Sequence, residues 1–218
     1  MATAVMAGRP VAVVSEYGPA GPVRLTLWDL TTGRSRGSVA ARLGHADVVT
    51  AVAAVVMEGR PVAVTVSSGG YGEHVLRVWD LVTGRQIGEP LCPDFCSMTR
   101  MAAMSMDGWA VVVTEGDGQL WVWDVAGRQP VQGPVVGCPQ AAGGTALITM
   151  TIEGRPVAIT GGHGGDGRVR VHPLLAGEQG AQESDVVFPQ PVTALAVTSD
   201  GGLLVGFGEQ IALLERMS

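Results

Sequence analysis

The sequence contains no lysine and no asparagine, so all fourteen of its basic side chains are arginine. Both missing residues have A/T-rich codons, and this usage is first explained by a GC-rich, bacterial genome rather than by selection for bidentate arginine contacts. The acidic residues number 20 and the formal net charge is −6. A negative balance of this size disfavours nucleic acid as the main partner.

Other features are equally scarce. There are only three cysteines, an odd number that does not indicate a disulfide framework. No apolar run reaches the roughly 20 residues of a membrane helix, so no membrane partner is expected. The opening MATAVMAGRPV lacks the basic and apolar regions of a secretory leader. We therefore expect a cytoplasmic protein. With 46% hydrophobic and 16% charged residues it is globular rather than disordered.

What the chain does have is a repeat. The heptad GRPVAVV at 8–14 returns as GRPVAVT at 59–65 and GRPVAIT at 154–160. A second signal recurs with a similar period: LTLWDLTTGR at 25–34, LRVWDLVTGR at 76–85 and LWVWDVAGR at 120–128, with weaker copies at 169–177 and 211–216. A period of 40 to 50 residues is typical of stacked or radial repeat proteins.

Each unit predicts a small antiparallel sheet. An apolar strand, a turn with Gly, a second apolar strand, a Gly-rich loop and an alternating strand ending in Trp-Asp follow one another. The predicted units are approximately 1–43, 44–92, 93–138, 139–187 and 188–218, within one domain spanning 1–218. Because one such sheet cannot bury both faces alone, the copies are expected to stack.

These motifs resemble the WD repeat of β-propellers, over nearly the whole chain. The resemblance is carried by the pairs Trp28-Asp29, Trp79-Asp80 and Trp123-Asp124, by Gly44-His45, and by the turn residues Asp117 and Asp166. It implies an all-β chain, a β-propeller of about five four-stranded antiparallel blades. It also implies a buried set of hydrogen bonds within a blade. Only the second unit comes close to that set, with His45, Ser67 or Thr65, and Trp79, although Glu73 stands where the family has Asp. The other units are expected to depend more on apolar packing.

The chain departs from the family in two ways. Family rings usually have seven blades, and a strand from one terminus closes them. Here there is room for five units, and no fourth strand is visible in the fifth unit, so the last blade is expected to be incomplete. Its third strand would then expose an unpaired edge at Ile211–Leu214. We expect self-association, or addition of a partner strand, at this edge.

No constellation predicts an enzyme. The opening strands of the units contain no Asp, Glu or His, which argues against the paired carboxylates of a propeller glycosidase. No nucleophile elbow or phosphate loop is present, and no cofactor is predicted. The cysteines Cys92, Cys96 and Cys138 lack the partner pair of a zinc site. Loop residue His163 is expected to be solvated, and no metal is predicted.

The candidate binding residues remain hypotheses. Arg100 stands where other units have Ala, and is either a solvated arginine lining the channel or an anion ligand. The loop end of the units collects acidic and aromatic residues, namely Tyr17, Tyr71, Glu73, Asp94 and Phe95. These residues either form an ordinary solvated surface or bind another protein. We predict a non-catalytic scaffold that binds proteins through this face. The alternative is a small-ligand or sugar-binding propeller that uses the channel mouth or pockets between blades.

Overall fold

The computed structural model describes residues 1–18, 21–39, 48–68, 74–91, 98–106, 108–116, 119–136, 146–162, 165–174 and 184–214. The strands of the first sheet are β1 (Ala2–Met6), β2 (Arg9–Gly18), β3 (Gly21–Asp29) and β4 (Arg34–Val39). Those of the second are β5 (Val48–Met57), β6 (Arg60–Ser68), β7 (His74–Asp80) and β8 (Gln86–Leu91). Those of the third are β9 (Arg100–Met106), β10 (Trp109–Gly116), β11 (Gln119–Asp124) and β12 (Gln129–Val136).

The fourth sheet consists of β13 (Ala146–Ile152), β14 (Arg155–Gly161), β15 (Arg168–Pro173) and β16 (Ser184–Val187). The fifth consists of β17 (Val192–Val197), β18 (Leu203–Phe207) and β19 (Gln210–Leu214). Strands that follow one another in the chain are neighbours in every sheet. The predicted all-β architecture of five antiparallel sheets is confirmed. Within the described ranges the fifth sheet has three strands and each of the others has four.

The repeated heptad forms the second strand of a sheet, and burial explains its composition. In β6 the residues from Val62 to Ser67 are buried without interruption, and in β14 so are those from Pro156 to Gly161. A strand covered on both faces carries a continuous apolar run instead of an alternating pattern. This is why the chain repeats GRPVAVT, with Thr as its one polar residue after the arginine.

The hairpin turns at the start of the three repeated heptads place residues other than asparagine at a position where asparagine is usual. Glu58 and Gly59 have φ values of 50° and 77°, and they join the opposed residues Met57 and Arg60. Ala7-Gly8 and Glu153-Gly154 have the same conformation. Two consecutive positive φ angles define the type I′ hairpin turn, whose first position favours Asn, Asp or Gly. A residue with a Cβ is therefore held in the left-handed region at Ala7, Glu58 and Glu153.

The described residues divide into two compact units, and the strands of the third sheet contribute to both. One unit contains 1–112 with 124–129, and the other contains 113–123 with 130–218. In the first unit a core cluster joins the first and second sheets through Val13, Leu25, Leu27, Val39, Val49, Ala63, Trp79 and Leu81. In the second unit a cluster joins the fourth and fifth sheets through Val157, Ile159, Val169, Val192, Leu203, Val205 and Phe207. Each buried side chain of this size contributes about 1.5–3 kcal/mol.

A threonine at the start of the second sheet links it to the segment that opens the third. Thr50 lies in a bulge of β5, between Val49 and Ala51. Its Oγ1 donates to the carbonyl of Val66 and to that of Met98, at 3.3 Å in each case. Thr193 occupies the corresponding bulge of β17. The recurring threonine therefore lies in a bulge in two sheets, and in the second sheet its hydroxyl reaches neighbouring carbonyls.

Candidate functional site

The tryptophans of the second and third sheets each donate a hydrogen bond to a buried threonine. Trp79 Nε1 lies 3.0 Å from Thr65 Oγ1, and Trp123 Nε1 lies 2.9 Å from Thr114 Oγ1. Both indoles are buried. A buried indole N–H without a partner would cost about 1–3 kcal/mol, so these bonds hold the ring in one orientation. Of the partners weighed for Trp79 from the sequence, Thr65 is the one that accepts this bond.

The fourth sheet has the same arrangement with histidine in place of tryptophan. His172 Nε2 and Thr160 Oγ1 are 3.0 Å apart, and both residues are buried. The turn residue Asp166 accepts a bond from Arg170 Nη2 at 2.6 Å. The third and fourth sheets therefore also have a buried hydrogen bond at this position, which the sequence interpretation did not assign to them. The signal was available, because Thr65, Thr114 and Thr160 each lie six residues after a turn glycine.

The first and fifth sheets break the pattern in different ways. In the first sheet Val14 occupies the threonine position, and Trp28 Nε1 donates instead to Glu16 Oε1 at 3.3 Å. Glu16 Oε2 also accepts from Thr26 Oγ1 at 2.9 Å, a carboxylate role that the sequence analysis missed. In the fifth sheet Leu214, opposite Leu203, stands at the tryptophan position. A wholly apolar pair replaces the hydrogen bond there.

The aspartates of the Trp-Asp pairs cap the turns that follow. Asp29 Oδ1 accepts from the amides of Thr31 and Thr32 at 2.9 and 3.1 Å. Asp80 Oδ1 accepts from the amides of Val82 and Thr83 at 2.8 and 2.9 Å. These charge-assisted bonds fix the turn backbone and explain why Asp follows Trp.

The same bonds change the acidity of the two carboxyls. For Asp80 the amide of Thr83 is the main cause; with the amide of Val82 it holds the pKa below its ordinary value despite burial. Burial alone would raise the pKa of Asp29, but the amides of Thr32 and Thr31, with Arg36, hold it below its ordinary value. Both carboxylates therefore stay charged at neutral pH.

The third of these turns is one residue shorter, which moves an arginine into a new position. Gly33 and Gly84 close the first two turns with positive φ, and each donates its amide to the carbonyl of the aspartate four residues earlier. In the shorter turn Arg128 occupies this position, with φ of 56°. Its Nη1 reaches the carbonyl of Ile87 in β8 at 2.7 Å. The guanidinium covers Gly88, where a Cβ would overlap it.

The residues predicted to bind a partner are not brought together by the described part of the chain. Arg100 lies at the start of β9, is half-buried, and its Nη1 donates to Thr99 Oγ1 at 3.4 Å. Tyr17 belongs to β2. The remaining predicted residues lie outside the described residues, namely His45, Tyr71, Glu73, Asp94 and Phe95. They stay predictions, as do those for Asp117, His163 and the three cysteines.

A cavity lies between the first and second sheets, inside the first compact unit. It has a volume of about 320 Å³. Apolar side chains of both sheets line it together with polar ones: Met6, Leu27, Arg36, Ser38, Val39, Leu81, Val82 and Thr83. Arg36 Nε is 3.3 Å from Asp29 Oδ2, so the charge at the rim is already paired. The volume of the cavity falls at the lower end of the range found for small-ligand sites.

No helix within the described residues has the length and hydropathy needed to cross a membrane. No group of three or more His, Cys, Asp or Glu side chains within the described ranges is placed to hold a metal ion.

Known proteins resemble this chain in fold. No protein-family model and no curated protein matches it. It is similar to a chain in the crystal structure of the mitotic checkpoint complex, with 12% identity and a TM-score of 0.63 over 94% of this chain and 56% of that one. The Dos1 propeller is 16% identical, with a TM-score of 0.59 over 94% of this chain and 50% of that one. Raptor of Chaetomium thermophilum is 17% identical, with a TM-score of 0.62 over 95% of this chain and 19% of that one.

This chain spans about half, or less, of the length of those solved chains. At these identities the likeness shows the fold alone. The β-propeller fold class predicted from the sequence is confirmed.

Proposed function

We propose that this protein is a non-catalytic scaffold that binds other proteins through the loop face of its propeller sheets. The observation that carries the proposal is the fold. Its five sheets repeat one strand order while the sequences between their strands differ in acidic and aromatic residues, and a chain in the mitotic checkpoint complex has a similar fold. Rigid sheets that present variable loops suit recognition better than they suit chemistry. Fold likeness alone does not name the partner.

The test compares two ends of the sheets. Proteins that copurify with the chain are quantified for a loop-face variant, Tyr71→Ala with Phe95→Ala. The control is Arg34→Ala with Arg85→Ala, two arginines that directly follow the turns after the Trp-Asp pairs. Because aromatic anchors contribute 2 kcal/mol or more at interfaces, we expect the loop-face variant to lose a partner by about thirtyfold. The control is expected to keep it. Equal retention by both variants would overturn the loop-face proposal.

The second candidate is a small-ligand or sugar-binding protein, and the cavity between the first and second sheets favours it. A ligand there would stabilise the folded chain by an amount that rises with the logarithm of the ligand concentration above its Kd. Melting is measured against a panel of sugars and small carboxylates. Val82→Phe enlarges an exposed residue that lines the cavity, whereas Val131→Phe enlarges an exposed residue outside it. A ligand shift that Val82→Phe abolishes and Val131→Phe keeps supports this candidate; a shift kept by both contradicts it.

The proposed edge contact at Ile211–Leu214 follows from the hairpin register. Phe207 and Gln210 flank a two-residue turn, so the pairs alternate from there and the amides of Ile211 and Leu213 point away from β18. A partner strand would bind these amides. Leu213→Pro removes one of them and is expected to weaken such pairing far more than Leu213→Ala does. Equal effects would show that the backbone edge is not the contact.

Cytoplasmic location and bacterial source are part of the proposal. They rest on the odd cysteine count and on the absence of lysine and asparagine. Fractionation of the source cells, with the protein recovered in the membrane or extracellular fraction, would contradict the location.

A further inference from the structure

One position of the repeat has the same environment in four sheets and a different one in the fifth. It lies three residues before the tryptophan position, on the third strand of each sheet. Its exposed fractions are 0% for Leu25, 2% for Leu76, 1% for Leu120, 1% for Val169 and 77% for Ile211. The position two residues later behaves similarly, since Leu27 and Val78 are buried while Leu213 is 47% exposed.

The exposed side of the fifth sheet is one continuous apolar face. Register places Leu204 opposite Leu213, Gly206 opposite Ile211, and Ala194 opposite Gly206. Residues directly opposite one another share a side of the sheet, as does Ala196 beside them. We call this side the Ile211 face: Ala194, Ala196, Leu204, Ile211 and Leu213. The other side of the same sheet is buried in the core cluster of the second unit.

The first sheet also has an exposed side, and it is the side that carries the tryptophan. Trp28 is 36% exposed, whereas Trp79 and Trp123 are each 4% exposed. Val5, at 63% exposure, lies on the same side, because Val5 is opposite Pro10 and Trp28 is opposite Ala12. We call this side the Trp28 face: Thr3, Val5, Glu16 and Trp28. The other side of the first sheet packs on the second sheet.

The two exposed faces are the two halves of a contact that the chain already makes. Between the first and second sheets, the positions equivalent to Ile211 and Leu213 are Leu25 and Leu27, and they share one core cluster with Trp79 and Ala63. Between the fourth and fifth sheets, Val169 shares a cluster with Leu203 and Leu214, an opposed pair equivalent to Ala63 and Trp79 of the second sheet. In both compact units, the side of one sheet that is equivalent to the Ile211 face therefore packs on the side of the next sheet that is equivalent to the Trp28 face.

We infer that the Ile211 face of one copy of this chain packs on the Trp28 face of a second copy, head to tail. The contact repeats the geometry of the internal seams, and it buries apolar side chains that water otherwise surrounds. The two surfaces differ, so the contact is heterologous: each copy keeps one free face, and assembly continues until a ring closes or a filament grows. This inference does not rest on the proposed scaffold function.

Light scattering of the full chain over about a hundredfold range of concentration tests the inference. We expect the mass to rise with concentration. Trp28→Asp blocks one face and Ile211→Asp the other, so each variant alone is expected to be monomeric. Their equimolar mixture retains one intact pair of faces and is expected to stop at a 1:1 dimer. Val187→Asp, at an exposed strand residue of the fourth sheet, is the matched control and is expected to assemble like the parent.

Each outcome decides the question. Circular dichroism verifies that the variants fold, and Val5→Asp on the same face replaces Trp28→Asp if that variant does not. A parent chain that is monomeric throughout overturns the inference, and so does assembly of both face variants at parental strength. A mixture that stays monomeric, or one that grows beyond a dimer, also contradicts a head-to-tail contact. In the proposed-function test, by contrast, the loop-face variants leave self-assembly unchanged.

Discussion

The second and fifth sheets carry the same repeat, but only one side of the fifth is covered. In the second sheet Leu76 and Val78 are buried on one side and Trp79 on the other. In the fifth sheet Leu203, Val205 and Phe207 are buried, while Ile211 and Leu213, at the positions of Leu76 and Val78, are exposed. The energetic importance of a repeat residue is thus decided by the neighbouring sheet and not by its own strand. Substitutions at equivalent positions can measure that difference.

The largest contrast is expected between two tryptophans. Trp79→Ala removes a buried ring and leaves Thr65 without its donor, so we expect a loss of about 3–5 kcal/mol. Trp28→Ala removes a partly exposed ring, and less than half that loss is expected. Urea unfolding of both variants in dilute solution measures the difference. Equal losses would show that Trp28 is covered as completely as Trp79.

The next contrast concerns the Ile211 position itself. Leu76→Ala creates a cavity in a covered seam and is expected to cost about 2–5 kcal/mol. Ile211→Ala shortens a side chain that is mostly in water, and a change within about 0.5 kcal/mol is expected in the monomer. Thermal melts at low protein concentration provide the comparison. A cost above 2 kcal/mol for Ile211→Ala would place that residue in a core.

The dependence of stability on acid pH is expected to differ between the aspartate-capped turn of the second sheet and the first turn of the fifth. The pKa of Asp80 is lowered from 3.8, first by the Thr83 amide, so the folded state binds fewer protons than the unfolded state. The stabilisation is complete above the ordinary carboxyl pKa and disappears as pH falls through the lower folded value. Asp80→Asn is expected to cost about 1 kcal/mol at pH 7 and to flatten the decline below pH 4.

The pKa of Asp200 in the fifth sheet is also lowered, mainly by the Thr198 hydroxyl. Because Asp200 is exposed, Asp200→Asn is expected to change the acid limb less than Asp80→Asn. Unfolding curves from pH 7 to pH 2.5 measure both variants. An identical acid limb for Asp80→Asn and the parent would contradict the capping role of Asp80.

A smaller effect is expected at the hairpin turn of the second sheet. Glu58 has a positive φ that asparagine adopts more readily, so Glu58→Asn is expected to stabilise the chain by about 0.5 kcal/mol. Ser199, in the first turn of the fifth sheet, is not held at a positive φ. Ser199→Asn is therefore the control and is expected to gain nothing. Destabilisation by Glu58→Asn would mean that the glutamate side chain has a role that the turn conformation does not explain.

The smallest effect is expected at Arg100. If it is a solvated arginine, Arg100→Ala restores the alanine of the other units and changes stability within about 0.5 kcal/mol. A loss well above that, measured by urea unfolding, would indicate a buried and paired guanidinium instead.

Much of the fold could be predicted because the residues that form each strand and turn recur in the sequence at a regular spacing. The turn glycines, the apolar heptads and the Trp-Asp pairs give the sheets, since each acts within a few residues of chain. The partner of Trp123 could also have been found, because Thr114 has the same offset from its glycine as Thr65. The role of Arg128 is harder to see. Aligning the three turns on their Gly-Arg pair hides the deletion that moves Arg128 into the glycine position.

Exposure of Trp28 could not be predicted from its motif. LTLWDLTTGR and LRVWDLVTGR are nearly identical, yet one tryptophan is buried and the other is not, because burial depends on a sheet distant in the chain. The loop-face residues belong to the same class of problem. Their types suggest binding, but a partner is recognised by side chains that several loops bring together, and no short pattern encodes that arrangement.

Thiol labelling along the repeat tests most directly the claim that the position three residues before the tryptophan position is buried in the first, second and fourth sheets and exposed in the fifth. Cysteine is placed at Leu25, Leu76, Val169 and Ile211 in turn, in a chain whose Cys92, Cys96 and Cys138 are serine, and labelling is followed in dilute solution. We predict that the cysteine at 211 reacts at the rate of an unfolded thiol, and that the other three react only through unfolding. Equal protection at all four positions would contradict the account.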